Sequence, residues 1–287
     1  VVTKIERLGV VGGGQMGGGI AEVGARAGLD VIVCEVNEQA AQAGQERLAK
    51  SLDRAVSAGK LTEEERDAAL SRLRFTTAVE DLKDRQIVIE AIVEDGKLKA
   101  DLFAKLDKVV EDPDAILASN TSSIPIAQLA GATGRPDKVL GVHFFNPVPV
   151  LKLVELVPSL LTSEETVERA DAFATEQLGK QTIRAKDRSG FVVNALLVPY
   201  LLSAIRMYES GFASAEDIDN GMVLGCAHPM GPLRLSDLVG LDTLKAIADS
   251  MYAEYGEPQY AAPPLLCRMV EAGLKGKKSG RGFYEYK

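Results

Sequence analysis

Three groups of residues in this sequence have types and spacings that could do chemistry. Leu8-Gly-Val-Val-Gly12-Gly-Gly14-Gln15-Met16-Gly17 places the pattern GxGxxG directly after a short apolar run. In such a turn Gly12 permits the tight bend and Gly14 lets the backbone approach a pyrophosphate. Gly17 lets the next helix pack close to the strand, with the phosphates at its N-terminus. A second apolar run, Val31–Glu35, ends in an acid 18 residues after Gly17. A carboxylate there can hydrogen-bond the ribose 2′-hydroxyl of NAD and repel the 2′-phosphate of NADP, and Val36 and Asn37 offer no arginine for that phosphate. The third group is His143 with Glu155. If the runs that carry them form a hairpin centred near Pro149, the two positions face each other. A carboxylate opposite the imidazole would then fix its tautomer and stabilise the imidazolium, which suits a general base.

The elements that must position these groups are legible as apolar runs rich in β-branched residues. They lie at Leu8–Val11, Val31–Glu35, Ile87–Ile92, Ala115–Ala118, Val139–Phe145, Leu151–Val157 and Gln181–Arg184. Short runs with little alternation predict buried strands of a mostly parallel sheet. Helical periodicity falls between them, over Gln15–Ala27, Glu38–Ala58, Glu63–Arg72, Gly96–Val110 and Glu164–Leu178. Thr62-Glu-Glu-Glu65 is a capping box for the third of these helices. The repeated strand–helix–strand order predicts an α/β fold, a Rossmann-like doubly wound sheet with right-handed crossovers. His143 then stands at the strand edge where ligands sit in open α/β sheets.

The character of the chain changes near Lys186-Asp-Arg-Ser-Gly190. Helical patterns alone follow, at Phe191–Ser210, Ser214–Leu224, Pro232–Tyr255 and Pro264–Ala272. The expected division is residues 1–187 as a dinucleotide-binding domain and 188–287 as an all-helical C-terminal domain.

Composition narrows the function classes. With 33 basic against 41 acidic residues the net charge is −8, which argues against the basic footprint of a nucleic-acid binder. Cys34, Cys226 and Cys267 are far apart, and with His143 and His228 they make no metal-ligand spacing. No metal and no disulfide framework are expected, which suits a reducing cytosol. The N-terminal stretch has no cleavage-site pattern, and no run of about 18 apolar residues occurs, so neither a signal peptide nor a membrane span is expected. A cytoplasmic protein is the expectation.

Further segments carry a resemblance. They are Val88-Ile-Glu-Ala91-Ile-Val-Glu94, Ser119-Asn-Thr-Ser122-Ser-Ile, His143-Phe-Phe-Asn146-Pro-Val with Leu151-Lys-Leu-Val-Glu155, and Ser189-Gly-Phe-Val-Val-Asn194. Pro229-Met-Gly-Pro232 and Lys278-Ser-Gly-Arg-Gly-Phe-Tyr284 extend the match to nearly the whole chain. Together they resemble the L-3-hydroxyacyl-CoA dehydrogenase family, most closely its monofunctional bacterial branch acting on 3-hydroxybutyryl-CoA.

The resemblance implies NAD-dependent, reversible oxidation of a short (S)-3-hydroxyacyl-CoA to the 3-oxoacyl-CoA. In that reading His143 is the general base, Glu155 orients it, and Ser122 and Asn194 hold the substrate's 3-oxygen and thioester region. Cofactor contacts are implied for Gly12, Gly14, Gln15, Met16, Gly17, Glu35, Ala91, Glu94, Lys99, Asn146 and Lys278. For CoA the family uses a Ser and a Lys seven residues later; Ser51 fits, Ala58 does not, and Lys60 is the substitute. A homodimer through the helical domain is also implied. Without the resemblance Ser122 reads as a helix cap before Pro125, Asn194 as a polar helix residue, and Glu94 and Lys99 as a solvated face. Two alternatives stand beside this reading: a dehydrogenase of free hydroxy or sugar acids, and a dinucleotide-binding protein without turnover.

Overall fold

Leu8, Val10, Val31, Val33, Ile87 and Ile89 are fully buried, and so are Val88 and Leu117, which face the opposite side of the sheet from their neighbours. Strands buried on both faces need helices above and below, which parallel crossovers supply. In the computed structural model, which describes residues 4–286, that is the arrangement. The strands are β1 (Arg7–Val11), β2 (Asp30–Cys34), β3 (Leu73–Thr76), β4 (Ile87–Glu90), β5 (Ile116–Ser119), β6 (Val139–Phe144), β7 (Leu153–Pro158) and β8 (Gln181–Arg184). They form one sheet in the order β3-β2-β1-β4-β5-β6-β7-β8. The first six pair in parallel, β6 and β7 pair antiparallel, and β7 and β8 pair in parallel. The order 3-2-1-4-5-6 is the dinucleotide-binding one, with its switch point between β1 and β4.

The helices of this unit are α1 (Gln15–Arg26), α2 (Glu38–Ser57), α3 (Glu63–Ser71), α4 (Gly96–Val109), the short α5 (Ile126–Ala130) and α6 (Glu164–Ala172). Side-chain caps start several of them. Asn37 accepts from the Ala40 N–H at α2, Asp95 from Leu98 at α4, and Thr62 and Glu65 form the expected capping box at α3.

The chain divides into one compact unit ending at Arg188 and another beginning at Ser189. The second contains α7 (Val193–Glu209), α8 (Ala215–Cys226), α9 (Pro232–Val239), α10 (Leu241–Tyr255) and α11 (Pro264–Glu271), around a core that includes Leu201, Leu233, Leu244 and Met251. Its C-terminal segment is clasped by two buried acids. Asp237 accepts from the Phe283 and Tyr284 N–H groups and the Tyr286 hydroxyl, and Asp219 accepts from the Tyr284 hydroxyl.

The structure corrects the sequence reading in three places. β3 was not expected: its four residues Leu-Arg-Phe-Thr are only half buried at the sheet edge, so they lack an apolar run. The helix expected over Pro232–Tyr255 is two, broken at Gly240, whose φ of 97° no helix accommodates. The helix expected to run through Leu178 ends earlier as regular α-helix, and a π-helical turn follows over Phe173–Gln177.

One buried cation ties the β6–β7 hairpin to the rest of the sheet. Lys180, between the π turn and β8, donates through Nζ to the Val148 carbonyl at 2.5 Å and the Leu151 carbonyl at 2.8 Å. Burial, helped by the charge of Arg26, pushes its ammonium below the ordinary lysine range. The folded state therefore binds this proton less tightly than the unfolded chain does. Below the depressed pKa the cost of burying the charge applies in full. As pH rises from there towards about 10.5, the ordinary value for lysine, that cost fades and stability grows. The difference in unfolding free energy between the wild type and Lys180→Met should accordingly be larger at pH 10 than at pH 7.5 in urea titrations. A difference that shrinks with pH would contradict this assignment.

Candidate active site

Val11 pairs with Cys34 on one side and Glu90 on the other, and Glu90 pairs with Ser119. The carboxyl ends of β1, β2, β4 and β5 thus lie along one edge, which is where ligands sit in such sheets. Four groups of side chains stand on it.

The first is the glycine turn. Gly12 has a φ of 94°, and a Cβ there would lie 2.7 Å from the Ala91 carbonyl oxygen. A Cβ on Gly17 would come within 1.7 Å of the Gly12 carbonyl oxygen, so the first turn of α1 fits only glycine. No side chain caps that turn, and the space outside Gly14 is open. Backbone N–H groups at a helix N-terminus facing open space make an anion site, and they fit the pyrophosphate of a dinucleotide. Glu35 follows β2, and its carboxylate accepts from the Gly13 N–H at 2.6 Å and the Val36 N–H at 3.1 Å. The acid is thereby held against the turn, where a ribose hydroxyl would meet it. Met16 packs partly on the core behind the turn. Burial pushes the neighbouring Cys34 thiol up to about 11, so it stays protonated and inert.

The second group is the pair that the hairpin was expected to bring together. β6 and β7 pair in the register His143↔Glu155. His143 Nδ1 lies 2.7 Å from Glu155 Oε2, with Glu155 fully buried and His143 nearly so. An ionised carboxylate at that distance places the ring proton on Nδ1 and the accepting lone pair on Nε2. The ring of Phe145 packs edge-on against the imidazole at 4.6 Å.

The third group joins Glu94, Lys99 and Ser122 in one network. Lys99 is 1% exposed, so it does not lie on a solvated face. Its Nζ donates to Glu90 at 2.7 Å and to Glu94 at 3.0 Å. Glu94 accepts from the Ser122 N–H at 3.1 Å, the Ser123 hydroxyl at 3.0 Å and the Thr121 hydroxyl. Burial would raise the Glu94 carboxyl, but the Lys99 ammonium and the Thr121 and Ser123 hydroxyls outweigh it and hold it below the usual carboxylate range. Ser122 is not the cap of α5, since the Ile126 and Ala127 N–H groups donate to Asp187. Its backbone N–H is in the network while its hydroxyl is left outside. Asn120 braces this loop to the histidine strand, accepting from the Phe144 N–H at 2.8 Å.

The fourth group lines a cavity of about 360 Å³ between α1, α2 and the hairpin loop. Gln15 and Asn146 meet there at 3.0 Å, and Ser51 lines the wall. Its cations are Arg47 and Arg54. Lys60 lies exposed beyond the end of α2, outside the lining. The spacing 47, 51, 54 puts two guanidiniums and one hydroxyl on one helical face, a signal that a search for lysine alone overlooks. Arg47 also donates to the Gly13 carbonyl at 2.7 Å.

Asn194 and Lys278 belong to the helical unit. Asn194 sits buried in the first turn of α7, after Phe191, whose φ is 48°. Lys278 pairs with Asp242, whose carboxyl burial would raise and this lysine lowers below its usual range. Among the described residues no group of three His, Cys, Asp or Glu side chains could hold a metal.

The arrangement suits alcohol oxidation at a bound dinucleotide. An oriented imidazole can take the O–H proton, and a serine loop beside it can hold the oxygen.

Comparison with known proteins agrees. Residues 7–188 match the family model for the 3-hydroxyacyl-CoA dehydrogenase NAD binding domain, and residues 190–286 match that for the 3-hydroxyacyl-CoA dehydrogenase C-terminal domain. A 3-hydroxybutyryl-CoA dehydrogenase of Mycobacterium tuberculosis is 67% identical over 282 residues, covering 98% of this chain and 99% of the relative. The crystal structure of M. tuberculosis FadB2 superposes with a TM-score of 0.98 at 66% identity, covering 99% of this chain and 100% of that one. That of (S)-3-hydroxybutyryl-CoA dehydrogenase PaaH1 from Ralstonia eutropha gives 0.92 at 45% identity, with the same coverage.

The close approach at Gly17 supplies a test of the cofactor turn. Gly17→Ala should weaken NADH binding by at least about tenfold, since a methyl forced against a carbonyl must displace the turn. Fluorescence titration of NADH measures this, and unchanged affinity would show that the turn does not hold the cofactor.

Proposed function

The chain belongs to the 3-hydroxyacyl-CoA dehydrogenase family, and from that premise we propose that it interconverts short (S)-3-hydroxyacyl-CoA and 3-oxoacyl-CoA thioesters, 3-hydroxybutyryl-CoA first among them, with His143 as general base. It is an NAD-dependent oxidoreductase. The observation that carries the finer reading is the buried His143–Glu155 contact of 2.7 Å, set on the edge that also bears the glycine turn.

NAD, when bound, supplies the hydride acceptor, held by the turn from Gly12 to Gly17 and by Glu35. Ala91, Glu94, Asn146 and Lys278 are the further groups we assign to it, with Lys99 acting through Glu94. His143 Nε2 takes the proton of the 3-hydroxyl while Glu155 stabilises the imidazolium through Nδ1–H. In the reverse direction the same imidazolium returns the proton, so the pair serves both. Ser122 and Asn194 hold the 3-oxygen and the thioester carbonyl, which fixes the reacting carbon without covalent attachment. The unit ending at Arg188 is then the NAD-binding domain, and the helical unit serves the substrate and dimerisation.

For CoA we assign Ser51, Arg47 and Arg54 in place of Lys60. Two guanidiniums on one helical face suit phosphate groups better than one lysine past the helix end, because each offers a planar fork of donors. The assembled enzyme is a homodimer in the cytosol. Leu196, Phe212 and Leu224 are largely exposed on the helical unit, and a second copy is the natural cover for such apolar surface.

Acetoacetyl-CoA with NADH should be reduced readily and free acetoacetate hardly at all; the opposite order would reject the thioester reading. His143→Ala should lower kcat by about a hundredfold or more while NADH still binds. Arg54→Ala should raise KM for acetoacetyl-CoA and leave KM for NADH unchanged. Sedimentation at micromolar protein should give twice the chain mass, and a monomer would refute the dimer.

A further inference from the structure

Glu90 has no part in the chemistry above, yet it is as completely enclosed as Glu155. It closes β4, is 0% exposed, and uses both carboxylate oxygens. Oε1 accepts from Lys99 Nζ at 2.7 Å and from the Ile92 N–H at 2.7 Å. Oε2 accepts from the Ser119 hydroxyl at 2.6 Å, and Ser119 Oγ in turn accepts from the Thr121 N–H at 3.1 Å. Glu94 takes the second half of the same lysine and holds the Thr121 hydroxyl, the Ser122 N–H and the Ser123 hydroxyl. The loop bearing Ser122 is therefore held at two points, by two carboxylates whose separation one ammonium fixes.

Charge counting separates a structural from a functional role. Two carboxylates share one lysine. Glu90 and Lys99 are both enclosed and neutralise each other, while the Glu94 side chain is 39% exposed, so the extra negative charge lies at the surface. Removing one partner of a buried pair is costly, so Glu90 stabilises the fold through Oε1 and Lys99. Neutralising Lys99 does not require Oε2, whose bond to Ser119 gives something else, a rigid link from the end of β4 to the Asn120–Ser122 segment.

We propose that Glu90 is a positioning residue for Ser122, acting through Lys99 on one side and Ser119 on the other. This rests on the reading of Ser122 as a group that holds the substrate oxygen. A misplacement of about 1 Å at such a group costs up to about a hundredfold in rate. The remainder of the cofactor turn is held by Gly12, Gly17 and Glu35, which do not touch this network.

Steady-state kinetics of the full-length enzyme with acetoacetyl-CoA and NADH test it in a double-mutant cycle. Glu90→Gln keeps the shape and leaves Lys99 paired with Glu94. It should lower kcat by about tenfold or more and change KM for NADH by less than about threefold. In a Ser122→Ala background the same substitution should have less than about a twofold effect, because the group it positions is gone. Wild-type kcat in Glu90→Gln overturns the proposal, and so does a loss of equal size with and without Ser122. A Ser122→Ala enzyme with unchanged kcat/KM overturns the reading of Ser122 itself, and the proposal with it. If Glu90→Gln does not fold, Ser119→Ala, which removes the hydroxyl that links Glu90 Oε2 to the Thr121 N–H, is put through the same cycle and judged by the same criteria.

Discussion

His143 meets Glu155 only while β6 and β7 keep one antiparallel register, and the rest of the site is arranged around that pairing. Side chains alternate along a strand, so a slip of one residue would bring Val154 or Leu156 opposite the histidine and turn Glu155 to the other face. Both neighbours are fully buried, as is Glu155. A buried carboxylate without a hydrogen-bonding partner is strongly disfavoured, so the histidine that the register provides also stabilises the register. The strands on either side reinforce it. Glu155 pairs with Ile183 across β7 and β8, β6 pairs with β5, and Lys180 pins the loop between the two site strands through its carbonyls.

The same rule, an ionisable group placed by the end of a strand, recurs along the ligand edge. Glu35 lies just past β2 and holds the Gly13 N–H. Glu90 ends β4 and holds Lys99, and the Ser119 hydroxyl at the end of β5 answers it. Strand ends are rigid because the ladder behind them is fully bonded, so a side chain fixed there is preorganised. Ser122 and Asn146 sit on loops, and each is tied back to something firmer, Ser122 through Glu94 and Asn146 through Gln15 at the start of α1.

How much of this the sequence carries depends on the range of each interaction. The glycine turn, the acid after β2 and the helix caps are local patterns, and they stand where the residue spacing puts them. The His143–Glu155 contact spans only twelve positions and a single hairpin, so simple strand geometry reaches it. β3 escapes because an edge strand of four half-buried residues has no apolar signature. The Asp187 cap of α5 joins residues about sixty positions apart and leaves no local trace. Lys99 is the instructive case. Amid the alternating charges of Gly96–Asp101 it looks like a solvated lysine, and only the packing of α4 on β4 turns it inward against two acids. The guanidiniums of the cavity wall are legible from helical spacing once α2 is accepted, but which face of α2 looks inward is settled only by the tertiary fold.

An acidic protein that takes two anionic ligands must solve an electrostatic problem that its composition poses. With a net charge of −8 the long-range field does not draw a dinucleotide or an acyl-CoA inward. At physiological salt that field decays within about 8 Å, and what remains is decided by groups in contact with the phosphates. The acids nearest the ligand edge are each engaged: Glu35 by N–H groups, Glu90 and Glu94 by Lys99, and Glu155 by His143. Glu22, which lines the cavity, is paired with Arg26. What faces the open space is then the uncapped N-terminus of α1 and the guanidiniums of Arg47 and Arg54. On the reading proposed above, neutralising each acid within the site lets a few N–H groups and two arginines hold polyanions on a chain whose overall charge opposes them.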